Sequence, residues 1–368
     1  MKAMKKIPVI DLFAGPGGLG EGFSRCTRRN RSVFDICLSV EKDPWAHATL
    51  TLRSFMRQFP KDQLPDAYYE HLRGKGTMEE LFEAWPRQAE VAKKHTLGRP
   101  HEMGSPVDDQ AIDQAILEAL KTAAAPHWVL VGGPPCQAYS LSGRSRRAHE
   151  SREEFERDRR HFLYEEYLRV IRRFIPSVFV MENVKGLLSA TVSSKRVLAN
   201  ILHDLSSAGY ELYSLSRALK DGVADADPSA FIVRAEDYGA PQKRHRIFIV
   251  GVRKGLGAKP CLLTKRDPHV PVSDAIGDLP RIRSHISLRT KQESNGTSAP
   301  LSDTIDEWKE QIRAVHREWF DAAAWNKVKP WLARLGHDIV DSSEFLETAV
   351  WQTGNPALKG WCHDPEMG

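Results

Sequence analysis

One cysteine of this chain, Cys136, stands in a sequence context that is unusual for a cysteine of a hydrophobic core. Residues 128–140 read WVLVGGPPCQAYS, so Cys136 comes after a short apolar run and a Gly-Gly-Pro-Pro loop. Such a run predicts a buried strand, and paired prolines fix φ and remove two amide donors, so the loop is stiff. A lone cysteine more often packs as a small hydrophobic residue. Because Cys136 lies beyond the apolar run, at the end of a predicted strand, we interpret it as a nucleophile.

A carboxyl group ends a second apolar run. Glu182 directly follows the run 178–181 and is itself followed by Asn183. Burial at a strand end would raise the pKa of the Glu182 carboxyl and let it hold a proton near neutral pH. The alternative interpretation is an acid that caps the next helix.

A turn rich in cations precedes a third apolar run at 247–251. This turn holds Gln242, Lys243, Arg244, His245 and Arg246. Its basic side chains would repel one another unless an anion or a polar ligand lies among them. Alternation along a strand places Arg244 and Arg246 on one face, so both could contact the same ligand.

The N-terminal segment predicts a cradle for a nucleotide-like ligand. An apolar strand at 9–13 runs into the glycine-rich turn 14–20, which opens a helix. Glycines let a ligand approach the backbone, and the first turn of a helix offers unpaired amides. The next apolar strand, 34–40, ends in Glu41, the position at which such folds hold ribose hydroxyls.

The composition is that of a folded protein from a reducing compartment. The chain has 368 residues, 41% of them apolar, and no window of about 18 apolar residues predicts a membrane span. The N-terminus lacks the apolar stretch of a signal peptide. Five cysteines without a Cys-x-x-Cys pair argue for the cytoplasm and against a zinc site or disulfides. The net charge of +5 permits a polyanionic partner.

Between these motifs, periodicity predicts helices at 111–124 and 162–174 that pack on a central sheet. Residues 52–110 are polar, contain several Pro and Gly, and are predicted to be irregular. Residues 144–160 hold seven arginines and five acids. This run is interpreted as a solvated helical face or, for 144–147, as a mobile loop whose arginines contact phosphates.

Taken together, the motifs resemble those of the C5-cytosine DNA methyltransferase family. The resemblance rests on the Asp-Leu-Phe-Ala-Gly start, the Pro-Pro-Cys loop, the Glu-Asn-Val strand end and the Gln-x-Arg-x-Arg turn, and covers residues 7 to about 280. It implies an α/β fold, a Rossmann-like class I methyltransferase with a mixed, mostly parallel sheet, plus a partial α-rich C-terminal segment. It also implies S-adenosylmethionine as cofactor, double-stranded DNA as partner, restriction–modification as the setting, and no metal.

The resemblance also assigns roles to residues. Cys136 would add to C6 of a flipped cytosine, Glu182 would contact N3 and the exocyclic amine, and Arg246 would hold O2 with Arg244 in support. The residues implied around the cofactor are Phe13, Ala14, Gly15, Gly17, Gly18, Leu19, Glu41, Pro134 and Leu163. The residues implied on the DNA are Gln137, Ser140, Arg144, Asn183 and Gln242.

The chain departs from the family pattern in two places. A third motif, an acid near the adenine, has no clear match, although Asp108 and Asp109 stand in that region. The closing motif is not matched by Gly354-Asn355. We therefore expect a catalytic domain at 1–280, then a linker and an incomplete target-recognition region at 281–368. A truncated sequence or a complementing subunit would explain the latter.

Two alternatives to DNA methylation stay open at this point. An RNA cytosine methyltransferase would share the same architecture. A catalytic half-subunit, inactive without a complementing chain, would also carry all of these motifs.

Overall fold

The computed structural model describes the chain over residues 5–29, 31–60, 63–73, 75–135, 163–192, 195–219, 227–277, 282–283, 291–292, 298–299, 304, 306, 308–310, 312–313, 321–334 and 340–341. The chain divides into two compact units, Met1–Val270 and Pro271–Gly368. The sequence predicted a boundary after residue 280, and the role of the second unit as a recognition region stays a prediction.

A seven-stranded sheet forms the centre of the first unit. Its strands are β1 (Ile7–Leu12), β2 (Phe34–Val40), β3 (Val129–Gly132), β4 (Val178–Val184), β5 (Tyr210–Tyr213), β6 (Ile232–Arg234) and β7 (His245–Arg253). The strand order is β6-β7-β4-β3-β1-β2, and β5 pairs with the other end of β7. Strand β7 runs antiparallel to β4, β5 and β6, whereas β1 to β4 are mutually parallel. The predicted mixed, mostly parallel α/β sheet is therefore confirmed.

Eight helices of the first unit are described: α1 (Gly18–Ser24), α2 (Pro44–Met56), α3 (Asp66–Leu72), α4 (Met78–Ala84), α5 (Pro86–His95), α6 (Pro106–Ala123), α7 (Leu163–Phe174) and α8 (Val197–Ser207). Side chains of α6, α7 and α8 share one apolar cluster with Ile10 and Leu12 of β1. Val9, the neighbour on the other face of β1, packs with Leu19 and Phe23 at α1. The period of two along β1 thus buries both faces of the sheet under helices.

The prediction of an irregular segment at 52–110 was wrong. Helices α3 to α5 lie there, and aromatic residues of α2, α3 and α4 form a second apolar cluster. Two prolines of this segment, Pro86 and Pro106, stand at the first positions of α5 and α6, where the backbone amide needs no partner within the helix. Thr77 and Glu80 form a reciprocal capping box at α4.

The second unit is described only in short pieces. They include two helices, α9 (Ser273–Ile276) and α10 (Ala322–Arg334), and two pairs of two-residue strands. Within the described parts of both units, no helix is long and apolar enough to cross a membrane.

Candidate active site

The register of the parallel strands aligns the predicted site residues. Leu12 pairs with Val40 on one side and Gly132 on the other, and Gly132 pairs with Met181. The next residue of each strand therefore emerges at the same edge of the sheet. These four residues are Phe13, Glu41, Gly133 and Glu182. Ligands of open α/β sheets bind at this carboxyl edge.

The glycine-rich turn after β1 has a backbone that demands glycine at two places. Gly15 and Gly17 have φ of 56° and 91°, a left-handed region that is costly for other residues. Phe13 also has a positive φ, 54°, and such strain clusters at ligand sites. At Gly17 an added Cβ would lie 2.8 Å from Cδ1 of Leu50 on α2. The turn therefore packs against the Leu50 side chain of α2, and this contact fixes its conformation.

The Glu41 carboxylate supports this turn from the neighbouring strand. The Gly15 amide donates a 2.7 Å hydrogen bond to Oε2 of Glu41, and the amides of Lys42 and Asp43 donate to Oε1. Ala14 extends the strand pairing by donating its amide to the Val40 carbonyl at 3.0 Å. The end of β2 and the glycine turn thus form one hydrogen-bonded cradle.

Glu182 and Arg246 meet at the end of β4. Nε of Arg246 lies 3.0 Å from Oε1 of Glu182. Glu182 pairs with Phe248 across the β4–β7 ladder, and Arg246, two residues earlier on β7, points to the same face. Arg246 also donates from Nη1 to the His245 carbonyl at 2.8 Å. The structure thus brings two of the predicted site residues, Glu182 and Arg246, into direct contact; their roles toward a base stay predictions.

The pKa of the Glu182 carboxyl lies above its ordinary value. Burial is the largest cause, and the positive charges of Arg246 and Arg244 oppose it. The side chain keeps 21% of its exposure, so a ligand in the site can still reach it. A carboxyl in this setting can hold a proton at a higher pH than a solvated glutamate.

Gly133 lies directly behind Glu182, and this contact gives a testable prediction. An ideal Cβ at Gly133 would lie 3.1 Å from Oε2 of Glu182. We expect Gly133→Ala to displace the carboxylate by a few tenths of an ångström and lower kcat by about 10- to 100-fold. Steady-state kinetics would measure this loss. Gly22→Ala is the control, because its Cβ would meet no atom within 4 Å, and equal losses in both variants would contradict the assignment.

Asn183 holds the loop that leads toward Cys136. Its side chain is 6% exposed, and its amide nitrogen donates to the Pro134 carbonyl at 3.1 Å. Its side-chain oxygen accepts from the Val184 amide at 2.8 Å. Both ends of this amide therefore contact protein groups, which favours positioning of the Pro-Pro loop over the direct substrate contact that was predicted.

The other predicted site residues lie in the turn before β7, at the starts of helices, or outside the described part of the chain. Gln242 and Arg244 are exposed in the turn before β7, and Leu163 is the half-buried first residue of α7. Gly18 begins α1, and Leu19 packs under the sheet. Four predicted residues lie outside the described residues: Cys136, Gln137, Ser140 and Arg144.

A buried carboxyl group beneath the glycine turn, that of Asp11, was not predicted from the sequence. Asp11 on β1 is fully buried, and its Oδ2 accepts a 3.2 Å hydrogen bond from the Gly20 amide in the first turn of α1. An ideal Cβ at Gly20 would lie 3.0 Å from Asp11 Oδ2 and 3.5 Å from Nη1 of Arg57. Within the described part of the chain, Asp11 Oδ1 and Arg57 Nη1 have no hydrogen-bond partner. Asp11, a residue of the central sheet, thus satisfies an amide in the first turn of α1.

This burial makes stability depend on pH through Asp11. Desolvation raises the pKa of Asp11 from 3.8 to about 7, although the Gly20 amide and Arg57 lower it. The folded protein then binds more protons than the unfolded chain between these values, so the contribution of Asp11 to stability falls as pH rises from about 4 to about 7. We expect Asp11→Asn to remove this part of the decline.

Urea unfolding at pH 5 and pH 8 would measure the effect. The difference between the two pH values should shrink by a few kcal/mol in Asp11→Asn, since each pKa unit corresponds to about 1.4 kcal/mol. Comparing variant with wild type cancels the other titrating groups. An unchanged difference would show that Asp11 titrates normally in the fold.

Glu102, an acid to which the sequence analysis gave no role, lies beside the cradle. The His101 amide donates to the Glu41 carbonyl at 2.9 Å, and the next residue, Glu102, pairs with Lys42 at 3.1 Å. Asp108 accepts from the Glu102 amide at 3.0 Å and holds this loop in place. No local pattern marks Glu102, because its contact with Lys42 spans 60 residues.

The fold and the site define a class of protein. A glycine-turn cradle and an acid–arginine pair share the carboxyl edge of one α/β sheet, a layout suited to a bound cofactor beside a reacting base. Residues 105–349 match the model of the C-5 cytosine-specific DNA methylase family. Since the match covers about two thirds of the 368 residues, the chain belongs to this family.

Curated relatives agree with this membership. Type II methyltransferase M.Bpa9945I of Bacillus paralicheniformis is 33% identical over 260 residues, 67% of this chain and 54% of the relative. M.DdeI of Desulfomicrobium norvegicum is 26% identical over 282 residues, 75% of this chain and 49% of the relative. M.AquIA of Picosynechococcus is 37% identical over 251 residues, 67% of this chain and 72% of the relative. The chain spans about half the length of the first two.

Proposed function

We propose that this chain transfers a methyl group from S-adenosylmethionine to C5 of a cytosine in duplex DNA, as the modification enzyme of a restriction–modification system. The observation that carries the proposal is the Glu182–Arg246 pair, 3.0 Å apart, at the edge where the Pro-Pro-Cys loop begins. Membership in the C-5 cytosine-specific DNA methylase family supports the reaction, and the Type II names of the relatives support the setting.

The residues of the cradle fit the cofactor. Ideal Cβ atoms at Gly15 and Gly18 would meet no atom within 4 Å, so the turn faces open space on the ligand side. Glu41, fixed against the Gly15 amide, would accept hydrogen bonds from ribose hydroxyls, and Glu102 would lie toward the adenine. When bound, S-adenosylmethionine supplies an electrophilic methyl group on its sulfonium.

Three predicted residues would act on the base: Cys136, Glu182 and Arg246. The Cys136 thiolate would add to C6, which converts the ring into an enamine with a nucleophilic C5. Glu182, with its raised pKa, would donate to N3 and accept from the exocyclic amine as charge develops. Arg246 would hold O2 and keep Glu182 in place. Once C5 carries the methyl group, loss of the C5 proton to water and β-elimination would break the C6–S bond and release the Cys136 thiolate.

The base must leave the helix for this chemistry. C5 and C6 lie within the base stack, and extrusion of one nucleotide costs a few kcal/mol. Arg144 would contact phosphates near the flipped nucleotide, while Gln137, Ser140 and Gln242 would contact the base or its neighbours. Asn183 would act indirectly through the Pro134 carbonyl that it binds.

Methyl transfer with isotope-labelled cofactor tests the function. Label should enter duplex DNA, and mass spectrometry of the digested nucleosides should find it in 5-methylcytosine. Label in RNA alone would favour the RNA methyltransferase alternative. No transfer with intact cofactor binding would favour a chain that needs a complementing subunit, and label on the exocyclic amine would overturn the C5 reaction.

A further inference from the structure

An exposed segment that follows β7 in the chain lies beside the active-site edge of the sheet. Every residue from Cys261 to His269, here named the strap, is exposed. Two backbone hydrogen bonds fix it, from the Leu263 amide to the Leu215 carbonyl and from the Arg266 amide to the Asp237 carbonyl, both at 2.8 Å. The strap is thus an ordered surface feature beside the turn 235–244 that precedes β7.

Asp237, a partly buried acid, binds two residues of the strap. Its Oδ2 lies 2.8 Å from Nζ of Lys265, and its Oδ1 lies 3.4 Å from Nε2 of His269. The Asp237 side chain is only 16% exposed, and the hydrogen bond from Lys265 is the largest cause that lowers its pKa. At Gly239, with φ 89°, an ideal Cβ would lie 2.9 Å from Cδ of Arg266, so the Arg266 stem packs on the turn.

Charge is segregated across this surface. The acids Glu236 and Asp237 point inward, with 12% and 16% exposure, and each is paired with a basic residue. The cations are exposed: Lys265 pairs with Asp237 and still keeps 68% side-chain exposure, and the other exposed cations are Arg234, Lys243, Arg244 and Arg266. Asp267 is the exposed acid of the two segments. The solvent-exposed surface of the strap and the neighbouring turn is therefore positively charged.

This surface is continuous with the active site. Arg234 pairs with His245 across the β6–β7 ladder, and the Ala235 amide donates to the Arg244 carbonyl at 3.0 Å. Arg244 in turn lowers the pKa of Glu182 by its charge. The cations therefore extend from the Glu182–Arg246 pair along the turn to the strap.

We propose that the strap, the turn before β7 and the adjoining end of β6 contact backbone phosphates of the duplex beside the flipped cytosine, through Lys265, Arg266, Lys243 and Arg234. This inference rests on the proposed function for its partner. Flexible, exposed Lys and Arg side chains on an ordered backbone suit phosphates, which fix the position of a duplex without reading its sequence. Asp237 fixes the position of the exposed Lys265 side chain, and Arg234, Lys243 and Arg266 add exposed positive charge around it.

The salt dependence of duplex binding tests this surface. Each lost phosphate contact lowers the slope of log binding constant against log salt by about 0.9. We expect Lys265→Gln/Arg266→Gln to lower the slope by about 2 and to weaken binding equally for duplexes of different sequence. Lys265→Arg/Arg266→Lys should keep the wild-type slope.

A matched control lies at the other edge of the sheet. Arg87→Gln/Lys94→Gln removes the same charges from exposed positions of α5, which packs on β2, and should keep the wild-type slope. An unchanged slope in the strap variant, or an equal drop in the control, would overturn the proposal. Thermal unfolding verifies that all variants fold. Because binding is measured without methyl transfer, failure of the catalytic proposal would be seen separately.

Discussion

Methyl transfer is expected to stop when Cys136 is replaced by serine, with a loss of about 10⁴-fold or more in kcat. A cysteine is a few per cent thiolate at pH 7 and strongly nucleophilic, whereas a serine hydroxyl is a weak nucleophile unless an adjacent general base activates it. Without addition to C6, C5 is not nucleophilic enough to take up a methyl group. Single-turnover transfer to duplex DNA would measure the loss.

A covalent trap makes the same prediction more specific. With 5-fluorocytosine in the duplex, the fluorine cannot leave as the C5 proton does, so the Cys136 adduct should persist and migrate as a protein–DNA conjugate. Cys26→Ser, which alters an exposed cysteine on the first unit, is the control and should still form the conjugate. Transfer or conjugate formation in Cys136→Ser would contradict the nucleophile assignment.

The arrangement of the site follows from sequence patterns that report strand ends. Glu41 and Glu182 each stand after an apolar run, and parallel strands bring such ends to one edge. Arg246 lies at the start of an antiparallel strand, so its position beside Glu182 depends on the pairing of β7 with β4. Local patterns were sufficient for the two acids, because an apolar run and the polar residue that ends it can both be recognised within a few residues of sequence.

Other features depend on contacts between distant parts of the chain. Asp11 caps α1 only because β1 and the helix pack face to face, and the Glu102–Lys42 pair spans 60 residues. Neither has a local signature. Asn183 resembled a substrate ligand by its position, yet the pleat turns it away from Glu182 and toward Pro134. The helices at 52–110 were missed because their prolines were interpreted as breaks rather than as helix starts.

Glu182→Gln is expected to lower kcat by about 10²- to 10³-fold while the fold and cofactor binding persist. Glutamine keeps the shape of the side chain but cannot carry the proton that the raised pKa lets Glu182 hold. It also leaves Arg246 without an anionic partner at 3.0 Å. Glu165→Gln, at an exposed acid of α7, is the matched control and should retain wild-type kcat.

The pH profile separates a proton-holding role of Glu182 from a merely structural one. If the protonated carboxyl acts, the wild-type rate falls on the alkaline side as Glu182 loses its proton, and the raised pKa moves this fall to a higher pH than for an ordinary glutamate. Arg246→Gln removes the cation that most strongly lowers the Glu182 pKa, so the alkaline fall should move higher still, although the rate is lower. Glu182→Gln should lose this limb altogether. A limb that persists in Glu182→Gln, or that moves to lower pH in Arg246→Gln, would show that another group controls the alkaline loss of activity.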